Sequence, residues 1–183
     1  MGTVRPAVRM RDPGFTLIEM LLVVTLIGIV SAIAAPLLSR AQGAAFEAST
    51  IGSLRAIHSA EALFASSCGG GYFAPTLASL STKPPQSNAP FIGPGFTANT
   101  FVRQNYTIRF TAGAVAAGSP ATCNGLAKGK AVSTYFVAAD LVLTTNGMTR
   151  YFGVNASGVI FQSTKRVTVT QSGVPPAPAK PIS

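Results

Sequence analysis

The sequence predicts an α+β protein in which one long N-terminal helix packs on a small antiparallel sheet of about four strands. Three observations favour this fold. An apolar segment spans 15–39, and a stretch without proline that is rich in helix formers continues from it over 40–67. Residues 105–164 then contain runs of aromatic and β-branched residues that are separated by turn residues. The chain of 183 residues leaves room for one small domain after the apolar segment.

Composition and charge favour an exported protein over a charged cytosolic enzyme. Only 10% of the residues are charged, the formal net charge is +9, and Asp140 is the only acidic residue beyond Glu61. The basic residues that follow the apolar segment are spread from Arg40 to Lys180 without a dense cluster, which is typical of a soluble basic surface. The same broad positive field is able to attract DNA or an anionic surface.

The residues before the apolar segment predict its orientation. Arg5, Arg9 and Arg11 precede the segment, and the positive-inside rule therefore predicts a cytoplasmic N-terminus. Everything after Ser39 is then expected to lie across the membrane, in the periplasm.

Three interpretations of the N-terminus compete. A secretory signal peptide cleaved near Ala35 would have an apolar region of about 7–15 residues, which is shorter than the region here. An ordinary transmembrane anchor fits the length, but it does not explain Glu19, which is the only charged side chain between Phe15 and Ser39. The third interpretation is a leader that ends at Gly14, before the apolar segment.

The stretch GFTLIEMLLVVTLIGIVSAIAAP, residues 14–36, resembles the N-terminus of type IV pilins and pseudopilins. The resemblance implies that residues 1–14 are a leader and that a prepilin peptidase cleaves between Gly14 and Phe15. It also implies that the same enzyme methylates the new N-terminal amine of Phe15. The resemblance is confined to about the first 40 residues.

The resemblance also implies a role for Glu19 in assembly. In this family the carboxylate pairs with the N-terminal amine of a neighbouring subunit, so that residues 15–39 are both a transmembrane helix and a polymerisation helix. In a dry core of packed apolar helices an unpaired carboxylate is costly, and a charge pair offsets part of that cost. Gly28 and Pro36 fall where many members have helix-weakening residues, and we expect the helix to kink or melt there.

The helix is expected to run from about Thr16 to Ser66, with an amphipathic second half over 40–67. Its packing face is predicted to contain Ala44, Ala48, Ile51, Leu54, Ile57 and Phe64. The charged and polar side chains predicted to face solvent or neighbouring subunits are Arg40, Glu47, Arg55, His58 and Glu61. Cys68 and the three glycines that follow it end the helix.

A globular β domain is predicted over 68–170. It begins with a long loop over 69–104, which is dense in proline, glycine, serine and asparagine. The predicted strands are 105–111, 133–143, 149–155 and 158–164. Asn146 and Gly147 predict a tight turn between the second and the third strand.

The remaining residues predict only weak structure. Residues 167–171, VTVTQ, are a candidate edge strand, and residues 171–183 are a proline-rich tail that is expected to be mobile. One face of the sheet is expected to pack on the amphipathic half of the helix, because a small sheet needs a partner to be stable.

Cys68 and Cys123 are the only cysteines. An even pair in an exported chain favours one disulfide, which would tie the helix end to the loop before the strand at 133–143. The alternative is two reduced thiols. The two cysteines lack the spacing and the partner ligands of a zinc site.

No motif for catalysis, cofactor binding or metal binding is found, and the prediction is that the protein is not an enzyme. His58 is the only histidine, and Asp140 stands alone, so a protein calcium cage would lack anionic ligands. Within the family that the sequence resembles, the major pseudopilins of secretion systems commonly carry a calcium site, and this sequence is not expected to build one from carboxylates. Asn105 and Asn155 begin glycosylation sequons, and we interpret them as strand or turn residues.

The favoured function is a structural filament subunit of a type IV pilus, serving adhesion, motility or DNA uptake. The expected partners are copies of itself and other pilins, the prepilin peptidase, the inner membrane and the pilus assembly platform. A type II secretion pseudopilin is the first alternative. A monomeric, membrane-anchored periplasmic binding protein and a secreted binding protein belong to other classes, and a solitary anchor has no use for Glu19.

Overall fold

The computed structural model describes residues 14–143, 148–168, 170–171 and 173–182. The leader predicted for residues 1–14 and the predicted Asn146-Gly147 turn lie outside these ranges, except for Gly14. The helices are α1 (Leu17–Ser67) and α2 (Leu77–Ser81). The strands are β1 (Thr100–Arg103), β2 (Tyr106–Ala112), β3 (Tyr135–Leu141), β4 (Tyr151–Asn155), β5 (Ile160–Ser163) and β6 (Lys180–Pro181).

The chain divides into two compact units, one ending at Ser39 and one beginning at Arg40. In the first unit the helical conformation of α1 continues through both Gly28 and Pro36. The proline removes one backbone hydrogen bond from the helix. The helix formers on both sides of these two residues are sufficient to keep the helical conformation where the sequence predicted weak points.

The second unit, which we call the globular unit, contains an antiparallel meander. Its strands lie in the order β1-β2-β3-β4-β5-β6, so that each strand pairs with the next one along the chain. The four predicted strands correspond to β2, β3, β4 and β5. The prediction of an α+β fold, with a long helix packed on an antiparallel sheet, is confirmed.

The main core lies between α1 and the sheet. Leu54, Ile57 and Phe64 of α1 are completely buried, and Ile108 and Val137 are among the strand residues of the same apolar cluster. Full burial of each large aliphatic or aromatic side chain stabilises the fold by about 1.5–3 kcal/mol. This layer positions the second half of α1 on the sheet.

The buried face of α1 differs from the predicted one at two kinds of position. Ala44 and Ala48 are exposed, although the helical spacing placed them on the packing face. Glu47 and Glu61, which were predicted to face solvent or neighbouring subunits, are only 7% and 0% exposed. The prediction was wrong because the globular unit supplies a hydrogen-bond donor for each side chain, Arg150 for Glu47 and the backbone N–H of Ala74 for Glu61, which helical spacing cannot reveal.

The predicted loop over 69–104 contains two short elements. In α2, the hydroxyl of Thr76 caps the helix and accepts a hydrogen bond from the backbone N–H of Ser79 at 3.1 Å. Strand β1 forms a hairpin with β2 through Gln104 and Asn105, whose φ angles are 47° and 67°. Two successive left-handed residues are the geometry of the tightest hairpin turns.

The C-terminal segment also differs from the sequence expectation. None of the described residues in 167–171 belongs to a strand. Instead, Val167 and Ala179 pack against Phe136 and Ala138 in a second apolar cluster. The proline-rich tail then adds β6 to β5 at the edge of the sheet. The tail packs because the far face of β3 is itself apolar and needs a cover.

Gly153→Ala is expected to destabilise the globular unit by about 1–3 kcal/mol, because it overpacks this second cluster. A Cβ atom at this position would lie 2.8 Å from the ring of Phe136, which is fully buried. Gly118→Ala is the matched control, since a Cβ atom at that position would meet nothing within 4 Å. Thermal unfolding of the full chain in detergent measures both, and equal melting temperatures would contradict the packing described here.

Candidate functional site

The predicted processing junction lies just before α1. Gly14 and Phe15 are non-helical and exposed, with 75% of Phe15 accessible. A Cβ atom built on Gly14 would meet nothing within 4 Å. The fold of the chain therefore does not itself require glycine at this position, and a requirement for glycine has to come from a partner that reads the junction.

Glu19 has a local partner at the start of α1. Its backbone N–H donates a hydrogen bond to the Thr16 hydroxyl at 3.3 Å, and that hydroxyl donates to Glu19 Oε2 in a long contact of 3.5 Å. This pairing of a threonine with a glutamate three residues later resembles a capping box. A carboxylate in the first helical turn also interacts favourably with the helix dipole. Sequence reasoning missed this role, although the spacing of Thr16 and Glu19 was a sufficient signal.

The first unit presents an apolar surface on every side of α1. Its large hydrophobic side chains are exposed from Phe15 to Leu38. Within the described residues, one helix is long and apolar enough to cross a membrane, with a mean hydropathy of 2.6 over its most apolar window. An apolar surface of this extent requires a cover of lipid or of other apolar helices.

The disulfide that the sequence favoured, between Cys68 and Cys123, is present. It joins the residue after α1 to the segment that precedes β3. The two cysteines are 55 positions apart in the chain, and closing a loop of this length reduces the entropy of the unfolded chain by the equivalent of about 4 kcal/mol.

Arg150 connects three parts of the globular unit. Its Nε atom donates to Glu47 Oε2 at 3.0 Å and its Nη1 atom donates to Gln162 Oε1 at 3.0 Å, while the Tyr106 hydroxyl donates to the Arg150 carbonyl at 3.0 Å. The Glu47 carboxylate raises the pKa of Arg150. Sequence analysis could not pair Arg150 with Glu47, because 103 positions separate them and neither belongs to a motif.

Asp140, the only acidic residue beyond Glu61 in the sequence, also forms an ion pair. Its carboxylate accepts a hydrogen bond from Nη2 of Arg109 at 2.9 Å, across β2 and β3. Within the part of the chain that the structure describes, no group of three histidine, cysteine, aspartate or glutamate side chains is placed to hold a metal ion.

Glu61, Tyr135 and His58 form a polar cluster in the core. Glu61 Oε2 accepts the backbone N–H of Ala74 at 2.8 Å, while Oε1 has no hydrogen-bond partner. His58 Nδ1 lies 2.7 Å from the Tyr135 hydroxyl. Burial raises the pKa of Glu61 to about 8, raises the pKa of Tyr135 and lowers the pKa of His58. At neutral pH the Glu61 carboxyl is therefore mostly protonated.

The stability of the globular unit is expected to depend on the protonation of Glu61. The folded state retains this proton up to a pKa of about 8, whereas the unfolded state loses it near 4.5, so stability falls as the pH rises between these values. Glu61→Gln keeps an acceptor for the backbone N–H of Ala74 and does not titrate. It should therefore reduce the fall of the melting temperature with rising pH and raise the melting temperature at neutral pH.

Melting temperatures of the full chain across this pH range measure the effect. Glu19→Gln, which removes an exposed carboxylate, is the control and should keep the wild-type slope. Both variants keep His58, whose lowered pKa weakens the fold only on the acid side of 6.5. An unchanged slope in Glu61→Gln would show that Glu61 is not the titrating group.

Comparison with known proteins adds one finding to this geometry. Residues 9–35 match the family described as the prokaryotic N-terminal methylation motif, which is typical of structural subunits and not of an enzyme family. No curated protein and no solved structure matches the chain. The motif and the single apolar helix fit membrane anchoring. Gly14, Phe15, Glu19 and the first part of the apolar helix lie within this match, and the chain therefore carries the signature of the type IV pilins and pseudopilins.

Proposed function

We propose that this protein is a structural subunit of a type IV pilus-like filament, which polymerises through residues 15–39 after removal of a leader that ends at Gly14. The observation that carries the proposal is the apolar helix, exposed on every side, with Glu19 as its one carboxylate near the processing junction. The functions open to such a filament are adhesion, motility and DNA uptake.

In this proposal the same apolar surface is in contact first with lipid and then with the helices of other subunits. Before assembly, residues 15–39 span the inner membrane with the N-terminus in the cytoplasm and the globular unit in the periplasm. During assembly the lipid is replaced by the corresponding helices of other subunits. The exchange has little effect on the apolar side chains, since hydrocarbon and packed leucine are similar surroundings. Glu19 gains a positively charged partner in the second state only, because the amine of Phe15 is supplied by the neighbouring subunit.

A type II secretion pseudopilin is the second candidate, because the signature is shared by both classes. The acidic residues of the globular unit favour the pilus. Asp140 is bound to Arg109, Glu47 to Arg150, and Glu61 lies in the core, so none of the three is available to a calcium ion at the surface. A calcium site like those common in major pseudopilins would need free carboxylate ligands.

The mature chain is expected to begin at Phe15 with one methyl group on its amine. Mass spectrometry of the protein extracted from membranes decides this. Gly14→Leu should accumulate as the unprocessed precursor, although the fold has room for a side chain at this position. Gly52→Leu, at another open glycine position on the helix, should be processed normally. A mature N-terminus beyond Ser31 would instead indicate a conventional signal peptide.

Glu19→Ala is expected to leave membrane insertion and leader cleavage intact and to reduce filament yield at least tenfold. The amine of a neighbouring Phe15 would enter the filament core unpaired, and stranding one member of a buried ion pair costs about 3–5 kcal/mol. Yield is measured as sheared filament relative to processed subunit in the membrane.

Two further variants separate the charge of Glu19 from its contact with Thr16. Glu19→Gln retains a side chain that is able to form the capping box but has no charge, so it should fail in the same way as Glu19→Ala. Thr25→Ala removes a hydroxyl that bonds only to its own helix, at the Leu22 carbonyl, and should assemble normally. If Glu19→Gln gives the wild-type yield of filament, Glu19 acts only as a helix cap and the proposed assembly role is wrong.

A further inference from the structure

We propose that a groove at the Arg40 end of the globular unit binds the phosphate of an anionic phospholipid headgroup. The groove is a cavity of about 330 Å³ between α1 and the residues that lead into β4. Its lining includes Arg40, Gly43, Ala44, Glu47, Thr149 and Arg150. The proposal goes beyond filament assembly, and it rests on the membrane anchoring of residues 15–39 proposed above.

The charges of the groove favour an anion. Arg40 and Arg150 both line it, and Glu47 is its only acidic residue. The Glu47 carboxylate is almost fully buried and is bound by Arg150, so the pair is close to neutral. Among the described residues no carboxylate pairs with Arg40, so the groove has one net positive charge. A guanidinium matches a phosphate group well, because its planar N–H groups bind two oxygens at once.

A second cavity also borders Arg150. It has a volume of about 480 Å³ and is lined by Arg150 together with Gln162, Ser163, Thr164, Pro178 and Lys180. None of the described residues that line it is acidic. Hydroxyl donors accompany the cation in each cavity, since Thr149 belongs to the first and Thr164 to the second. A ligand with several phosphate or glycerol oxygens would find donors along both cavities.

The position of Arg40 in the chain selects lipid as the source of the phosphate. Arg40 follows Leu38, the last large apolar residue of the segment, by two positions. This spacing corresponds to about 3 Å along a helix axis. Chain connectivity alone therefore keeps Arg40 at headgroup depth whenever the apolar segment lies in a bilayer.

Exposed apolar side chains at the same end of the sheet also favour lipid over nucleic acid. Val142 and Leu143 follow the end of β3 and are 48% and 61% exposed. The end of β3 is close to Arg150, because Leu141 pairs with Tyr106 and the Tyr106 hydroxyl reaches the Arg150 carbonyl. A phospholipid offers acyl chains to such side chains, whereas a nucleic acid backbone does not.

The test compares two variants that change the net charge of the chain equally. Ala44→Glu places a carboxylate in the groove, and Ala56→Glu places one on an exposed position of the same helix outside it. Each full-length chain is reconstituted in bilayers with equal amounts of phosphatidylglycerol and phosphatidylcholine. The chain is then extracted into detergent, and native mass spectrometry counts the lipids that remain bound.

The wild-type chain and Ala56→Glu are expected to retain phosphatidylglycerol in preference to phosphatidylcholine. Ala44→Glu and Arg40→Gln are expected to lose this preference about tenfold, which corresponds to about 1.4 kcal/mol. No preference in the wild type, or equal losses from both glutamate variants, would overturn the proposal in favour of a diffuse positive field. Both glutamates occupy exposed helix positions, and the melting temperature of each variant checks that the fold is kept.

Two further measurements separate this proposal from its rivals. A duplex DNA oligonucleotide that binds the wild type and is released by Ala44→Glu, without any change in lipid retention, would assign the groove to nucleic acid and overturn the lipid proposal. Flotation with the bilayers tests anchoring by itself. A chain that does not float would contradict both the anchoring and the groove, whereas a floating chain without lipid preference would contradict the groove alone.

Discussion

The globular unit depends on the packing of one face of α1 against the sheet. A small antiparallel sheet depends for its stability on burying its apolar face, for example against a helix. Leu54, Ile57 and Phe64 supply that surface, and the disulfide at Cys68 holds the end of the same helix to the segment before β3. The disulfide and the apolar face therefore restrain the same stretch of α1 against the sheet.

Two buried acidic side chains make this packing specific. Glu47 is bound by Arg150, and Glu61 accepts the backbone N–H of Ala74. Apolar packing alone tolerates sliding and rotation of a helix. A buried polar group that loses its hydrogen-bond partner incurs the cost of desolvation, so each contact penalises other positions of α1. The two acids are three turns or more apart along the helix, so together they constrain both its rotation and its position along the sheet.

The same contacts leave the surface of the globular unit without a free acidic group in the described residues. Asp140 is paired with Arg109, Glu47 is paired with Arg150, and Glu61 is buried and mostly protonated at neutral pH. The exposed cations are consequently not balanced at the surface. A basic surface of this kind favours anionic partners, and its cavities beside Arg150 are where cations and hydroxyl donors are combined with concave shape.

The sequence by itself determined the features that depend on local chemistry. The apolar helix and the four central strands were predicted and are present, because length and periodicity are readable along the chain. The processing junction at Gly14 and Phe15 and the assembly role of Glu19 rest on the motif alone and stay predictions. The capping contact of Thr16 with Glu19 was readable in the same way, although it was missed.

The tertiary structure decided what depends on contacts between distant residues. Helical spacing placed Glu47 and Glu61 on an outward face, and only their contacts with Arg150 and Ala74 explain their burial. The proline-rich tail was expected to be mobile, since its composition offers no periodic apolar face. It packs because Phe136 and Ala138 leave an apolar surface on the far side of β3. Burial of a polar group or of an irregular segment depends on the partner across the contact, and that partner is distant in sequence.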